Sequence, residues 1–256
     1  MASDSVGADR ATALRALHRP GAPVVLPNAW DAGSARAVEA AGFPVVATSS
    51  AAMAESLGYA DGEHAPVDEV MDAVARIVRV VSVPVTVDLE SGYGLAPVEL
   101  VERLVATGAV GCNLEDTDPR TGELREPSAQ ADFLAAVRSA AQRAGVELVL
   151  NARTDVYLRG GAEPTTLRAE AVRRGRAYLA AGADCAYPIA VGGAALDRTT
   201  LVELVREIGG PVNVLYRPDG LTLAELAETG VARVSFGPGI YRASQAHLSS
   251  TLATLR

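Results

Sequence analysis

The segment VPVTVDLESGYG, residues 83–94, starts as a buried strand and ends in a way that core strands avoid. Val83, Val85 and Val87 alternate around Pro84, and the run closes on Asp88 and Glu90 before a Gly-Tyr-Gly turn. Residues i and i+2 of a strand face the same way. Two carboxylates are therefore expected side by side at the C-terminal end of an apolar strand.

Seven other runs have the same apolar, β-branched character. They are VVLPNA (24–29), VVATSS (45–50), GCNLED (111–116), ELVLNARTD (147–155), DCAYPIA (184–190), PVNVLY (211–216) and RVSFGPG (233–239). Amphipathic helical patterns separate them, among them APVDEVMDAVARIVRVV, PVELVERLVATG and LRAEAVRRGRAYLAAG. Gly42, Gly108, Gly182 and Gly230 end four such patterns, as expected of the C′ position of a helix. Eight strand–helix units in 256 residues predict a single α/β domain over 1–256, a (β/α)8 TIM-type barrel. A doubly wound open sheet is the alternative, since strand order is not readable from one sequence.

Composition narrows the function. The chain carries 23 Lys+Arg against 31 Asp+Glu, a net charge of −8, and all its cationic side chains are arginines. With no basic block, nucleic-acid binding is not expected. The start of the chain lacks the basic-then-apolar layout of a secretion signal, and no apolar run is long enough to span a bilayer. The two cysteines, Cys112 and Cys185, have no metal-site spacing. A soluble cytoplasmic protein with no membrane partner is the expectation.

Barrel enzymes gather their chemistry at the C-terminal ends of the strands. Strand parity gives Asp88, Glu90, Asn113, Glu115 and Arg153 a common interior and turns Cys112, Leu114 and Asp116 outward. A lone charge at a strand end is usually a cap or an ion pair, a role that fits Asp116 and Asp155. Inward charges from three adjacent strands are harder to dismiss, because a buried unpaired charge costs several kcal/mol. Three carboxylates against one arginine ask for a cation, and hard oxygen donors suit Mg2+ or Mn2+. Two loops belong to the same rim. Residues 48–66 begin with small polar residues whose N–H groups suit an anion, and residues 115–127 have the charge and turn formers of a mobile lid. For each, a solvated connector is the alternative; for the second, its length and its place beside Glu115 favour the lid.

The stretches VDLESGYG, GCNLEDTDPRTGEL, LVLNARTD and VVATSSAAMAESLGYADGE, in that spacing, resemble the isocitrate lyase/phosphoenolpyruvate mutase superfamily over nearly the whole chain. The resemblance implies Mg2+ on Asp88, with Glu90 and Glu115 reaching it largely through water. It implies Arg153 on the substrate carboxylate, and Ser49, Ser50 and Ala51 in the loop that holds an α-oxo acid. Asp61 would help position the reacting group, and Asn28 and Trp30 would lie near the pocket. It also implies a homotetramer in which a C-terminal helix, about 241–256, swaps between subunits. The shared chemistry makes or breaks a bond next to an α-oxo acid through a metal-stabilised enolate.

The chain also departs from the pattern. Lyases of the superfamily carry a lid with a catalytic cysteine, whereas residues 116–123 read DTDPRTGE. The mutase-type histidine aligns with Ile189. The reading that remains is a Mg2+-dependent lyase on a small α-oxo or 2-hydroxy acid, by C–C cleavage or decarboxylation of an oxaloacetate-like substrate. Arg120 or Arg125 is the expected receiver of a distal carboxylate, and His64 a candidate proton donor. A phosphonopyruvate-type P–C mutase or hydrolase is one alternative, and a non-catalytic oxo-acid binder is another. A phosphate site at SFGPG (235–239) is a weaker one.

Overall fold

The computed structural model describes residues 2–191 and 196–255. All eight expected strand runs are strands: β1 (Val24–Leu26) with β2 (Asn28–Ala29), β3 (Val46–Thr48), β4 (Val85–Asp88), β5 (Gly111–Glu115), β6 (Val149–Thr154), β7 (Cys185–Pro188), β8 (Asn213–Leu215) and β9 (Arg233–Ser235). Pro27, which has no N–H to donate, divides the first run in two. β1 pairs in parallel with β9, and β2 pairs in parallel with β3. The order β2-β3-β4-β5-β6-β7 continues round the ring, and β9 pairs with β8. A parallel bridge from Ala186 to Val212 joins the β7 and β8 sides. The ring is thus the (β/α)8 barrel, and the open-sheet alternative falls away.

The helices are α1 (Ala2–Ala16), α2 (Ala32–Ala40), α3 (Ser50–Leu57), α4 (Val67–Arg79), α5 (Pro97–Ala106), α6 (Pro127–Arg143), α7 (Val156–Arg159), α8 (Pro164–Ala180), α9 (Arg198–Ile208), α10 (Leu223–Glu228) and α11 (Gly239–Ala253). α4 shows why they form. Val70, Met71, Val74 and Ile77 recur at helical spacing and are buried, while Asp68 and Glu69 sit at the positive end of the helix dipole and Arg76 and Arg79 at the negative end. Gly42, Gly108, Gly182 and Gly230 all have positive φ, as the helix-stop reading requires. Among the described residues, no helix is long and apolar enough to cross a membrane.

α1 closes the N-terminal end of the barrel. Its Ala11 and Leu14 pack with Val24, Leu26, Val45, Ala47, Val110 and Val149. Gly111 makes room for it, since a Cβ there would lie 2.9 Å from Leu14 Cδ2 and 3.0 Å from the Val149 carbonyl oxygen. Above this plug the interior is polar. Asn113 Oδ1 accepts from Asn151 Nδ2 (2.9 Å) and from Arg233 Nη2 (3.0 Å), and Asn213 Nδ2 donates to Ser235 Oγ. α11 buries only Tyr241 of its own, leaving its Leu248 and Leu252 exposed, and Leu255 beyond its end is exposed too. Of the residues expected to form a swapped helix, 241–253 lie on α11, Thr254 and Leu255 follow it, and Arg256 is outside the described residues.

Candidate active site

Asp88 is the last residue of β4. Its Oδ2 accepts from Ser50 N–H (3.1 Å) and Ser50 Oγ (2.9 Å), and its own N–H donates to Thr48 Oγ1. Ser50 is in place because residues 48–66, expected as a rim segment whose first N–H groups suit an anion, contain α3. Ser49 caps that helix, and Gly58 ends it in the left-handed region. Asp88 Oδ1 is buried and has no hydrogen-bond partner.

Glu90 does not continue the strand. It adopts φ +50°, and Tyr93 and Glu63 are left-handed too, at +56° and +62°. Non-glycine residues are uncommon there, and three in one cluster need surrounding structure to hold them. Glu63 supplies it: Oε1 accepts from Ser91 N–H (3.0 Å), Ser91 Oγ (2.7 Å) and Tyr93 N–H (2.8 Å). The Glu63 N–H donates to Glu90 Oε2, and the Tyr93 hydroxyl donates to Glu90 Oε1. Glu90 is therefore buried and held from two sides.

Arg153, on β6, lies between two carboxylates. Its Nη1 is 2.6 Å from Glu115 Oε2 and its Nε 2.6 Å from Asp155 Oδ1. Asp155 Oδ2 also accepts from Thr117 Oγ1, which fastens the 115–127 loop to the barrel. That loop is closed on itself by an antiparallel bridge between Thr117 and Leu124. Asp116 faces outward as expected. It pairs with Arg174 (3.0 Å), accepts from the Tyr178 hydroxyl (2.7 Å) and takes the Asp155 N–H. Asp116 and Asp155 are thus ion-pair partners that hold the scaffold.

Negative charge is in excess here. Burial, then the neighbouring Asp88, raises the Asp61 pKa. Burial, followed by Asp61, pushes Glu90 up to about 7. Burial lifts Glu115 well above the carboxylate range, against the pull of Arg153. Burial also opposes the charge of Arg153, but Glu115, Asp155 and Asp88 outweigh it and hold its pKa well above normal. Cys112 and Cys185, both buried in the walls, are pushed up to about 12 and are inert thiols at neutral pH.

A cavity of about 510 Å3 opens above Asp88. Of the residues expected in a site, Asn28, Ser49, Ser50, Ala51, Asp61, Asp88, Asn113 and Arg153 line it. Glu90 and Glu115 stand behind that wall, against Glu63 and Arg153 respectively. Arg120 is not brought in; it is 85 % exposed and paired with Asp118 two residues before it. Arg125 is directed to Gln130, Ser91 and the Phe133 ring. His64 folds back on the Asp61 carbonyl, and Trp30 packs on Tyr241. The phosphate alternative at 235–239 loses two donors, because Phe236 and Gly237 give their N–H groups to Asn28 Oδ1.

The sequence reading missed Glu63, Tyr187, Arg217, Arg233 and Arg242. Tyr187 and Arg233 were visible in principle, as inward positions of their strands, and Tyr187 lies in register beside Arg153. Arg217 and Arg242 sit beyond strand ends, where parity says nothing; both line the cavity.

No set of three or more His, Cys, Asp or Glu side chains among the described residues is arranged to hold a metal by itself. The donors present suit an ion that keeps most of its waters: one orphaned carboxylate oxygen on Asp88, with Glu90 and Glu115 nearby. This is the coordination style of Mg2+.

Fold and site together define a barrel enzyme with a carboxylate-rich pocket at the strand ends. The sequence profile described as phosphoenolpyruvate phosphomutase matches residues 14–256, and the chain belongs to that family, within the phosphoenolpyruvate mutase/isocitrate lyase superfamily of lyases and mutases. An uncharacterized protein of Mycobacterium tuberculosis is 38 % identical over 237 residues, covering 90 % of this chain and 85 % of that one. An oxaloacetate decarboxylase of Rhodopseudomonas palustris is 34 % identical over 187 residues, 70 % of this chain and 62 % of that one. A crystal structure from Burkholderia cenocepacia J2315, provisionally assigned as a phosphonomutase, superposes with a TM-score of 0.90 at 43 % identity, covering 96 % of this chain and 99 % of that one.

Proposed function

We propose that the protein is a Mg2+-dependent lyase that cleaves or decarboxylates a small α-oxo or 2-hydroxy acid of the oxaloacetate type. The carrying observation is the buried, partnerless Oδ1 of Asp88, at the floor of a cavity that also holds Arg153 and the first turn of α3. The similarity to an oxaloacetate decarboxylase supports the same substrate class.

Mg2+ bound at Asp88, with Glu90 and Glu115 behind its waters, would supply Lewis acidity to the 2-oxo group. The remaining work falls to the chain. Arg153 has spent three N–H groups on Glu115 and Asp155, so two of its five remain to hold the substrate carboxylate. The Ala51 N–H has no helical acceptor in the first turn of α3 and lines the cavity, a second donor for that carboxylate. When the bond between C3 and the β-carboxylate breaks, its electron pair moves into an enolate and CO2 departs. No acid is needed at that step, which agrees with a lid lacking cysteine and histidine. The proton that C3 then takes is assigned to Tyr187. Burial keeps its phenol protonated well above neutral pH, and it lines the cavity in register with Arg153.

A thermal-shift titration with oxalate, an enolate mimic, tests the reading. The melting temperature should rise only when oxalate and Mg2+ are both present; no rise with both would refute the site. A second reading, P–C chemistry on a phosphonopyruvate, draws on the extra cations Arg217 and Arg242 in the cavity. Turnover of phosphonopyruvate in preference to oxaloacetate would select it. A cytoplasmic homotetramer with α11 exchanged between subunits belongs to the same reading, on the support of the exposed leucines of α11. Light scattering in solution checks the tetramer.

A further inference from the structure

Asn113 lies on β5, in register between Asp88 of β4 and Asn151 of β6. It is buried but lines the cavity. Its carboxamide can present an oxygen or an NH2 group there, and the residues around its other edge decide which. Oδ1 accepts from Arg233 Nη2 (3.0 Å) and from Asn151 Nδ2 (2.9 Å). A guanidinium has only donors, so the atom that faces Arg233 must be the oxygen. Both lone pairs of Oδ1 are thereby taken from within the barrel. Nδ2 has no acceptor among the described residues and is left for the cavity.

Arg233 is a costly support for one amide. It is 1 % exposed, and among the described residues it forms no ion pair. Its Nε reaches only Ser235 Oγ, at 3.4 Å, and Nη1 is buried with no hydrogen-bond partner. Burial lowers its pKa, yet a guanidinium keeps its proton at neutral pH. A buried cation without a counter-charge is expensive. Holding Asn113 in place does not require one, since Asn151 already does so with a neutral donor. What the charge adds is polarisation: a carboxamide whose oxygen faces a cation is a stronger donor from its nitrogen.

We infer that Asn113 donates from Nδ2 to the substrate oxygen on which enolate charge develops, and that Arg233 is the positioning residue that fixes and strengthens this donor. The inference rests on the oxo-acid reading above and adds to that site a contact that tightens as the ligand oxygen becomes charged. Asp88 is the register partner of Asn113, so the donor stands beside the carboxylate proposed to hold Mg2+.

Oxalate and pyruvate separate such a donor from a piece of scaffold, because oxalate carries an anionic oxygen where pyruvate has a ketone. Competition calorimetry with Mg2+ present gives both affinities. Asn113→Ala should weaken oxalate about tenfold or more and pyruvate no more than about threefold, as a charge-assisted bond differs from a neutral one. Arg233→Met should lower the oxalate preference too. Made in the Asn113→Ala background it should lower that preference no further, since Arg233 acts through Asn113. Asn113→Asp keeps the oxygen that Arg233 and Asn151 require, so it holds the barrel together even where the other variants do not fold. It turns the donor of the cavity into an acceptor and should abolish the preference. A preference that survives in Asn113→Asp, equal losses for the two ligands in Asn113→Ala, or additive effects of the two substitutions would each overturn the inference. Failure of the wild type to bind oxalate with Mg2+ would instead overturn the oxo-acid reading, and the donor role with it.

Discussion

Ser50 gives both its N–H (3.1 Å) and its hydroxyl (2.9 Å) to Oδ2 of Asp88, which leaves Oδ1 buried with nothing to bind. A buried carboxylate oxygen without a partner is costly, and a helix and a strand fix it there. Asp88→Asn keeps the shape and an acceptor for Ser50 but removes the charge. The variant should fold with a near-wild-type melting temperature and lose Mg2+-dependent oxalate binding, as calorimetry would show. Tight metal-dependent binding in the variant would remove Asp88 from the proposed site.

Glu63 stitches the 58–66 loop to the turn after β4 through the three bonds accepted by its Oε1. Glu63→Ala would leave the Ser91 and Tyr93 amides and the Glu90 carboxylate poorly held. The expected cost is about 1–3 kcal/mol, with faster hydrogen exchange at Ser91 and Tyr93 than at residues of β6. Unchanged protection at those two amides would mean the left-handed cluster is held by other contacts.

The barrel was legible because alternation and glycine stops are local signals, and local signals survive folding. Asp88, Asn113 and Arg153 reached the cavity by the same parity. The reading weakened where the strand ended. Glu90 turns left-handed after Leu89, so period-two logic no longer governs where it points. Arg120 was drawn toward the pocket by the position of its loop, but Asp118, two residues away, takes it in a tight turn. Arg217 and Arg242 are separated from Asp88 by more than a hundred residues, and only barrel closure brings them to one cavity. α3 is a different case, since Ser49 and Gly58 marked its two ends in the sequence.

Asp116 and Arg174 test the assignment of a scaffold role. The pair is almost fully buried, at 0 and 6 % side-chain exposure, and Tyr178 and the Asp155 N–H complete the Asp116 carboxylate. Arg174→Met removes one charge and strands the other, which should destabilise the fold by about 3–5 kcal/mol. Adding Asp116→Asn should recover part of the loss. Urea denaturation of the two variants measures both. A double variant no more stable than Arg174→Met would mean the stranded charge was not the cause.

His18 gives the fold a pH dependence of defined sign. It follows α1, its Nδ1 bonded to the Leu14 carbonyl and its Nε2 buried without a partner. Burial, then the charge of Arg233, lowers its pKa from 6.5 to about 4. The unfolded chain therefore binds a proton between those values that the folded chain does not, and stability must fall as pH drops from about 6.5 toward 4. Fully developed, the effect is about 3 kcal/mol. Replacing His18 by Gln keeps a donor for Leu14 and removes the titration. Between pH 7 and 4 the wild type should lose about 3 kcal/mol more unfolding free energy than His18→Gln does. Parallel stability curves for the two proteins across that window would show that His18 is not neutral in the folded barrel.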